Sequence, residues 1–490
     1  MKKFLSLICI CISYLSTNAL VRHVPTSYPT ISAALAVCQP ADTILVQPGT
    51  YVEQLVWPSI ANIKLLSAGD SSNTVISAAQ NGRAITMSSA QITNSTIIRG
   101  FSIRDGVLLG NSSQGGGIHL TNSSPTLDGL LIEQNRLGSP NWNYGGGIYI
   151  SGGTANIMNC AIRNNFIDSA TWGHGCGLYI VNGANVQINN TSIDHNQTTS
   201  GSWCYGVGIY MSASEATISS CKIIENRAMD GASYFRGMGV YVDDATLNLE
   251  NVLIASNIMG NGGNFMTGGG LHITGASSLV SLKHVTIAEN YRVGNLAISG
   301  SGINVAGGTL TMINSISYNA NTGPEFNVTG GTMNASYSNI RGTIAGTGNI
   351  NNLPQFVSSS DFHLGPGSPC FGTGSPTLVL NNDLDGLSRP IPLGTNPDMG
   401  CYEIDHTIVG TKENKTETFF VSPNPASEIS TLYYLDKNAF NENIMVYDQS
   451  VRTIAVLKTT GSPLQINTSE WNPGMYYCTW GTQHTLLIKN

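Results

Sequence analysis

Residues 145–150 read Gly-Gly-Gly-Ile-Tyr-Ile, and this six-residue pattern recurs along the chain with small changes. Its copies begin at Gly115, Gly145, Gly175, Gly206, Gly237, Gly268 and Gly300. Subtracting each start from the next gives steps of 30, 30, 31, 31, 31 and 32 residues. So constant a period indicates a repeat architecture, in which each unit stacks on its neighbours.

Each repeat unit contains short runs in which apolar residues alternate, as in Ile148-Tyr-Ile and Ala161-Ile-Arg. This is the periodicity of strands, and no helical stretch separates the runs. The repeat therefore predicts a β-solenoid with one coil per unit and coils stacked about 4.8 Å apart. Equivalent residues of successive coils then form columns along the solenoid axis.

A second pattern, Ile-x-x-Asn, follows the same period. Its amides are Asn135, Asn165, Asn196, Asn226, Asn257, Asn290 and Asn319. Stacked amides can hydrogen-bond along the axis, and Asn tolerates left-handed backbone at a turn. The glycines before each strand are suited to positive φ or to close backbone approach. We interpret both columns as structural.

The composition agrees with a solenoid. Only 10% of the 490 residues are charged, against about 25% in ordinary soluble domains. Like charges repeated in a column would repel one another, so few positions favour them. A hydrophobic content of 41% and a net charge of -7 exclude a disordered chain. With 22 basic residues and a pI near 5.7, nothing in the chain predicts a nucleic-acid partner.

Residues 1–19 have the features of a secretory signal, with Lys2 and Lys3 before an apolar stretch too short to span a membrane. We expect no transmembrane segment once it is removed. Eight cysteines then remain: Cys38, Cys160, Cys176, Cys204, Cys221, Cys370, Cys401 and Cys478. Their spacing predicts neither a disulfide scaffold nor a metal site, and we expect no cofactor.

The stretches that begin at Tyr28-Pro-Thr-Ile and Ala41-Asp-Thr-Ile are similar to the cap helix and first strand of the right-handed parallel β-helix superfamily, which includes pectin lyases, pectate lyases and pectin methylesterases. The resemblance implies an all-β fold with a right-handed parallel β-helix over residues 20–355. Because the superfamily includes lyases, hydrolases, esterases and adhesins, the resemblance predicts the fold and leaves the function open.

Residues 356–404 resemble the closing, choice-of-anchor-type segment of bacterial surface β-helix proteins, and a Cys370–Cys401 disulfide would clamp it. Residues 405–417 are predicted to be a linker. Residues 418–490, with Val421-Ser-Pro-Asn-Pro, resemble the β-sandwich sorting domain of the type IX secretion system of Bacteroidetes. That resemblance implies the type IX machinery as a partner, and a location in the medium or on the outer surface of a Gram-negative cell.

Two columns of aromatic residues are the strongest candidate binding residues. The central residues of the strands that follow each glycine motif include Tyr149, Tyr179, Tyr210 and Tyr241, and a second column contains Trp142, Trp172 and Trp203, then Tyr234 and Phe265. Aromatic rings beside hydroxyl and amide donors bind sugars, so this ridge is a candidate site for polysaccharide. Alternatively, each loop aromatic covers the Tyr of its own strand, and the stacked aromatic rings stabilise the sheet without a ligand.

One charged cluster is a candidate for catalysis: Arg163, Asp194, His195, Glu225 and Arg227. Enzymatic β-helices pair a base with cations that hold a uronate, and these residues lie beside the Asn turns of three successive coils. The alternative is an exposed ladder of alternating charge, from Glu133 through Arg163 to Asp194. The regularity of the coils favours a non-catalytic surface protein that binds polysaccharide or adheres. A polysaccharide lyase or glycoside hydrolase is the alternative.

Overall fold

The computed structural model describes residues 19–168, 171–199, 202–229, 231, 233–262, 265–295, 298–320, 323–377, 379–405, 419–434, 443–450, 452–459, 463–480 and 483–490. The predicted signal peptide lies outside them up to residue 18, and so does the predicted linker from residue 406 to 417. The chain divides into two compact units, residues 1–407 and 408–490.

The first unit is a parallel β-helix, as the repeat predicted. One coil runs through Trp142–Tyr144, Ile148–Ser151, the two short strands Asn156–Met158 and Ala161–Arg163, and then Phe166–Ile167. Each strand pairs in parallel with the same segment of the next coil; Ile148, for example, lies beside Leu178. Four parallel sheets result, which we call the wide, glycine-strand, turn and aromatic sheets.

The wide sheet contains two adjoining ladders of strands, which merge in two of the coils. Its strands are Val21–Val24, Thr43–Val46, Gly49–Val52, Lys64–Ser67, Thr74–Ser77, Ile97–Arg99, Ser102–Arg104, Thr126–Asp128, Leu131–Glu133, Asn156–Met158, Ala161–Arg163, Asn185–Asn189, Ser192–Asp194, Glu215–Ile224, Thr246–Ala255, Leu279–Lys283, Thr286–Ala288, Thr309–Ile313, Ile316–Tyr318, Thr332–Ser336 and Asn339–Ile340.

The glycine-strand sheet follows the glycine motifs and packs its aliphatic side chains against the wide sheet. Its strands are Leu55–Val56, Ile85–Met87, Ile118–Thr121, Ile148–Ser151, Leu178–Val181, Ile209–Ser212, Val240–Asp243, Leu271–Thr274, Ile303–Val305 and Phe326–Val328. Residues such as Ile148 and Ile162, both fully buried, form the main core between these two sheets.

The turn and aromatic sheets form a side lobe with a smaller core of its own. The turn sheet contains Val107–Leu108, Arg136–Leu137, Phe166–Ile167, Gln197–Thr198, Arg227–Ala228, Ile258–Met259 and Tyr291–Arg292. The aromatic sheet contains Ser112–Gln114, Trp142–Tyr144, Trp172–His174, Trp203–Tyr205, Tyr234–Arg236 and Phe265–Thr267. Ile167, Cys204 and Phe235 lie in the core between them.

The Asn column forms a continuous ladder of buried amides. Each Asn from 135 to 290 donates through Nδ2 to Oδ1 of the Asn in the next coil, at 2.8 to 3.2 Å. The same oxygens accept main-chain N–H groups of the preceding coil. At the last coil Asn319 donates to Oε1 of the buried Glu325 at 2.7 Å, so a carboxylate ends the ladder.

Two glycines of each motif have different roles. The first lies in the left-handed region, as Gly206 does with a φ of 54°. The third packs against the next coil, because a Cβ on Gly208 would lie 2.6 Å from the carbonyl oxygen of Gly239. Both roles agree with the expectations from sequence.

A short helix, Ile31–Leu35, lies at the N-terminal end of the β-helix. Thr30 caps it through Oγ1, which accepts a hydrogen bond from the N–H of Ala33. The carboxylate of Glu53 accepts the two preceding N–H groups, those of Ile31 and Ser32. This is the cap helix that the sequence resemblance implied. A short 3-10 helix, Val293–Asn295, follows the turn sheet in one coil.

The closing segment, residues 356–404, packs along the outer face of the wide sheet. Phe362 and Tyr402 cover Leu253 in one cluster, while Cys370 packs with Ile316 in another. Cys370 and Cys401 are free buried thiols in separate clusters, so the disulfide considered from sequence does not form in this structure.

The second unit has two antiparallel sheets around one core, which fits the predicted small β-sandwich. One sheet contains Phe419–Ser422, Ile429–Tyr434 and Leu464–Asn467; the other contains Asn443–Asp448, Thr453–Lys458, Gly474–Trp480 and Gln483–Lys489. Leu432, Val446 and Ile466 are among the buried residues of the core.

Candidate functional site

The second aromatic column of the sequence, here called the outer column, lies on the solvent side of the aromatic sheet. It consists of Trp142, Trp172, Trp203, Tyr234 and Phe265. Successive ring centroids lie 6.1, 5.0, 3.9 and 5.1 Å apart. Trp142 and Phe265, at the two ends, are 51% and 54% exposed. The outer column is therefore an ordered strip of aromatic edges along the axis of the β-helix.

Ring orientation decides which parts of the outer column can meet a ligand. From Trp172 to Phe265 the planes differ by only 4 to 6°, so each inner ring is covered by its neighbours on both faces. Trp142 departs from this pattern, because it is tilted by 48° from Trp172 and lies beside Ser112 of the preceding coil. Trp142 thus presents a ring face that is not stacked in parallel on its neighbour, while the middle rings present edges.

The Tyr column lies on the outer face of the glycine-strand sheet, since the aliphatic neighbours of each Tyr are in the core. Its rings stack from His119 to His272 with centroids 4.7 to 5.5 Å apart. The side lobe covers them, so Tyr149 and Tyr241 are only 7% and 4% exposed. Burial raises the pKa of Tyr179 and Tyr210 well above the ordinary value, so both stay neutral.

The residues that cover the Tyr column form an inner column, which the sequence analysis missed. Tyr144, His174 and Tyr205 lie two residues after each Trp and so on the same face of their strands. Each stacks on the Tyr of the following coil, as Tyr144 does on Tyr179 at 4.7 Å. The outer rings contact this inner column edge to face, at 5.9 to 6.2 Å. Within the described residues, it is the inner column and not the Trp column that covers the tyrosines.

The histidines in these stacks are poorly suited to acid–base chemistry. Burial lowers the pKa of His174 and His272 to about 3 and that of His119 to about 4. All three are therefore neutral near pH 7. His174 of Gly173-His-Gly belongs to the inner column between Tyr144 and Tyr205.

The five residues of the candidate catalytic cluster lie in three separate places. His195 lies between two carboxylates, with Nδ1 2.7 Å from Asp194 Oδ1 and Nε2 2.5 Å from Glu225 Oε2. Arg163 instead pairs with Glu133 of the preceding coil at 3.3 Å. Arg227 is not part of this group, because it lies beyond the Asn turn on the turn sheet, beside Gln197.

The exposed chain Asp194–His195–Glu225 continues toward the closing segment. A cavity of about 250 Å³ lies between the two, lined by Lys222 and Glu225 from the β-helix and by Asp361, His363 and Tyr402 from the closing segment. His363 bridges Asp361 at 2.5 Å and Asp385 at 2.7 Å. Despite the opposing effect of burial, hydrogen bonds to the two carboxylates raise its pKa.

The sequence analysis missed Lys222 and His363. Lys222 lies only three residues before Glu225, near the end of the strand Glu215–Ile224, so its position could have been found from the repeat. His363 is distant in sequence and outside the repeat, so no column marks it. Within the described residues, no group of three or more His, Cys, Asp or Glu side chains is arranged to hold a metal ion.

Residues 68–290 match the family model of the right-handed β-helix region, and residues 421–490 match the model of the secretion system C-terminal sorting domain. The first unit is accordingly a right-handed parallel β-helix. The sorting domain implies secretion or attachment to the cell surface through the type IX system. No curated protein matches the chain.

Several solved structures are similar to this chain. Pectate lyase Pel9A is 12% identical, with 79% of this chain and 97% of that chain covered and a TM-score of 0.43. A pectin methylesterase from Aspergillus niger is 15% identical, with 54% and 85% covered and a TM-score of 0.27. The pectin methylesterase from carrot is 13% identical, with 55% and 89% covered and a TM-score of 0.28. At such scores we draw no argument about activity from them.

In the described residues no helix is both long and apolar enough to cross a membrane.

Proposed function

We propose that the protein is a non-catalytic, polysaccharide-binding protein that acts in the medium or on the outer surface of a Gram-negative cell, after export through the type IX machinery. The glycan lies along the aromatic ridge, the outer column with the tyrosines behind it. The observation that carries this proposal is the outer column itself, because it places five aromatic side chains in one line with its two ends half exposed.

The roles of the two sequence columns differ in this proposal. Trp142, with its open face, stacks on a sugar ring, while the edges of Trp172 and Trp203 contact the next sugars along the axis. Tyr149, Tyr179, Tyr210 and Tyr241 are largely covered, so they support the ridge from behind and contribute little direct contact. The spacing of the coils, about 4.8 Å, places an aromatic side chain at each step along an extended glycan.

Glycan retention and product formation together test the proposal. The purified full chain would be incubated with a panel of neutral and uronate-containing polysaccharides. We expect retention without products for at least one of them. Trp142→Ala should weaken that retention about tenfold or more, while Tyr291→Ala on the turn sheet serves as a control with little effect. Retention unchanged by Trp142→Ala would contradict the aromatic ridge.

A second candidate function is a polysaccharide lyase or glycoside hydrolase, and the carboxylate–histidine–carboxylate chain favours it. The carboxylate of Glu225 is half exposed and contacts His195, whose other ring nitrogen contacts Asp194, so Glu225 could take a proton from a substrate while His195 positions it. Arg163 would hold an acidic sugar, whereas Arg227 on the turn sheet has no evident part. New reducing ends or unsaturated uronates, abolished by His195→Ala, would favour this function over the first.

A further inference from the structure

The main chain enters the β-helix beside a buried carboxylate. The N–H of Leu20 donates to Oδ1 of Asp42 at 2.8 Å, and the carbonyl of Leu20 accepts from the N–H of Thr43. From Val21 onward the first strand pairs in parallel with Thr43–Val46. Leu20 is 55% exposed, whereas Asp42 is only 1% exposed. The nitrogen of Leu20 is therefore the point at which the chain passes from exposed residues to a buried acceptor.

The two oxygens of Asp42 are used unequally. Oδ2 accepts three hydrogen bonds, from Nε and Nη2 of Arg22 at 2.9 and 2.6 Å and from the N–H of Gln39 at 2.9 Å. Oδ1 accepts only from Leu20, as far as the described residues are concerned. A carboxylate oxygen has two lone pairs. Asp42 thus has an unused acceptor position beside the nitrogen of Leu20.

Asp42 is held in its ionised form. Burial by itself would raise the pKa of Asp42, but hydrogen bonds from Gln39, Leu20 and Arg22, together with the charge of Arg22, hold that pKa below the ordinary value. Arg22 is fixed in turn, since its Nη1 donates to the hydroxyl of Tyr28 at 2.7 Å. A buried anion with an unused lone pair favours a further N–H donor, and a charged donor most of all.

The sequence indicates that leader cleavage would supply such a donor at this point. Thr17 and Ala19 are small residues at the third and first positions before Leu20, as in a signal-peptidase site. Hydrolysis of the bond between Ala19 and Leu20 consumes one water and leaves a carboxylate on the leader and an α-amino group on Leu20. Near neutral pH most of that group is an ammonium, with three N–H donors in place of one.

We propose that the chain is processed between Ala19 and Leu20 and that the new α-ammonium of Leu20 pairs with Asp42. The ammonium retains the bond to Oδ1 and adds a charge-assisted bond to its unused lone pair. Through Gln39, Asp42 is also bonded to the segment that follows the cap helix. Removal of the leader therefore tightens the N-terminal cap of the β-helix. The proposal does not depend on glycan binding.

The first residue of the processed chain tests the cleavage position. The full chain would be expressed with its own leader in a Gram-negative host, and the N-terminal peptide of the exported protein would be identified by mass spectrometry. We expect Leu20 to be the first residue. Any other first residue, or a retained leader, would overturn the proposal.

The reactivity of the α-amine tests the ion pair in the wild-type background. Two chains are compared, one that begins at Leu20 and one that begins at Ala19, each prepared by cleavage of a fusion that leaves a native first residue. An amine-acylating reagent is added at pH 7.5, and labelling of the N-terminal peptide is followed by mass spectrometry. We expect Leu20 to react about tenfold more slowly than Ala19, because Asp42 holds its α-amine in the ammonium form. Equal rates would overturn the ion pair.

Asp42→Asn distinguishes the charge of Asp42 from mere coverage of the α-amine, because the amide has nearly the same shape. We expect the variant to raise the labelling rate of Leu20 toward that of Ala19. It should also abolish the difference in unfolding temperature between the two chains, about 2 °C in favour of the Leu20 chain. Asp70→Asn, at an exposed aspartate outside this site, should leave both differences unchanged.

Slow labelling of Leu20 that persists in a folded Asp42→Asn variant would overturn the proposal, since coverage alone would then explain it. If Asp42→Asn does not fold, the two wild-type chains still decide. Equal unfolding temperatures for the Leu20 and Ala19 chains would mean that the ammonium adds nothing to the amide N–H that already bonds Asp42, and would contradict the tightened cap.

Discussion

The Asn ladder and the outer aromatic column repeat with the same period. They differ at their ends: the amides of the ladder are all buried and hydrogen-bonded, whereas the last rings of the column are exposed to solvent. In the ladder each amide from Asn135 to Asn319 is buried and bonded, and Glu325 accepts the last donor. The outer column ends at half-exposed rings, Trp142 and Phe265. The comparison teaches that repetition alone does not distinguish structure from function. A column whose ends are closed serves the fold, and one whose ends stay open has surface left for a partner.

Breaking the ladder should produce the largest effect. Asn196 donates to Asn226 and accepts from both Nδ2 and the main-chain N–H of Asn165. Asn196→Ala leaves several of these buried groups unpaired, at about 1–3 kcal/mol each. We expect the free energy of unfolding of the β-helix to fall by about 4 kcal/mol, measured by urea unfolding.

The control for this variant is Asn185→Ala. The Asn185 amide donates to Glu215 at the surface of the wide sheet, so its loss should cost less than about 1 kcal/mol. Equal losses in the two variants would mean that the ladder contributes no more than a surface amide.

The aromatic columns allow the same comparison between covered and open rings. Tyr179 stacks on three tyrosines in the described structure, so Tyr179→Ala should cost about 3 kcal/mol. Trp142 is 51% exposed, and Trp142→Ala should cost about 1 kcal/mol. Thermal unfolding would measure both, and a greater loss for Trp142 would reverse the assignment of the two columns.

A smaller effect should follow from adding a methyl group where the backbones of two coils are in close contact. A Cβ at position 208 would lie 2.6 Å from Gly239 O and 3.0 Å from Asn226 Nδ2, so Gly208→Ala should cost about 2 kcal/mol. Gly110→Ala is the matched control, because nothing lies within 4 Å of its Cβ position. If urea unfolding shows no difference between the two, close packing of the glycines does not stabilise the coils.

The columns could be predicted from sequence because each repeats one kind of residue at one spacing. Gly208 and Asn226 are examples, and the structure confirms a role for both. The inner column was missed because its chemistry changes from Tyr144 to His174, so no repeated residue marks it. Arg227 was grouped with Glu225 because they are neighbours in sequence, but the Asn turn between them carries Arg227 onto another sheet.

The cavity at the closing segment could not be predicted, for a different reason. Its walls, Lys222 and His363, come from a periodic and a non-periodic region of the chain. A period predicts which residues share a column, but it contains no information on where a later, irregular segment packs. The packing of residues 356–404 depends instead on apolar contacts, such as Phe362 with Leu253.

The smallest predicted effect concerns the pH dependence of this packing. Glu403 is buried beside Arg389, with 3.3 Å between Oε2 and Nε, and burial raises its pKa to about 7. An unfolded chain would bind this proton with the ordinary carboxyl pKa of about 4.3. Because the folded state holds the proton more tightly, Glu403 favours folding at low pH, and that contribution is lost as the pH rises through the window between the two values.

Glu403→Gln should remove this part of the pH dependence, since an amide does not titrate. The variant should also be less stable than wild type by an amount that does not change with pH. The reason is that the two carboxylate oxygens accept hydrogen bonds from the N–H groups of Asp398 and Ile391, and in the amide one of these acceptors becomes a donor. The informative quantity is therefore the slope: between pH 5 and pH 8 the unfolding temperature of wild type should fall relative to that of the variant. Parallel curves would mean that Glu403 is ionised throughout this range, and the closing segment would then be held by an ion pair with Arg389.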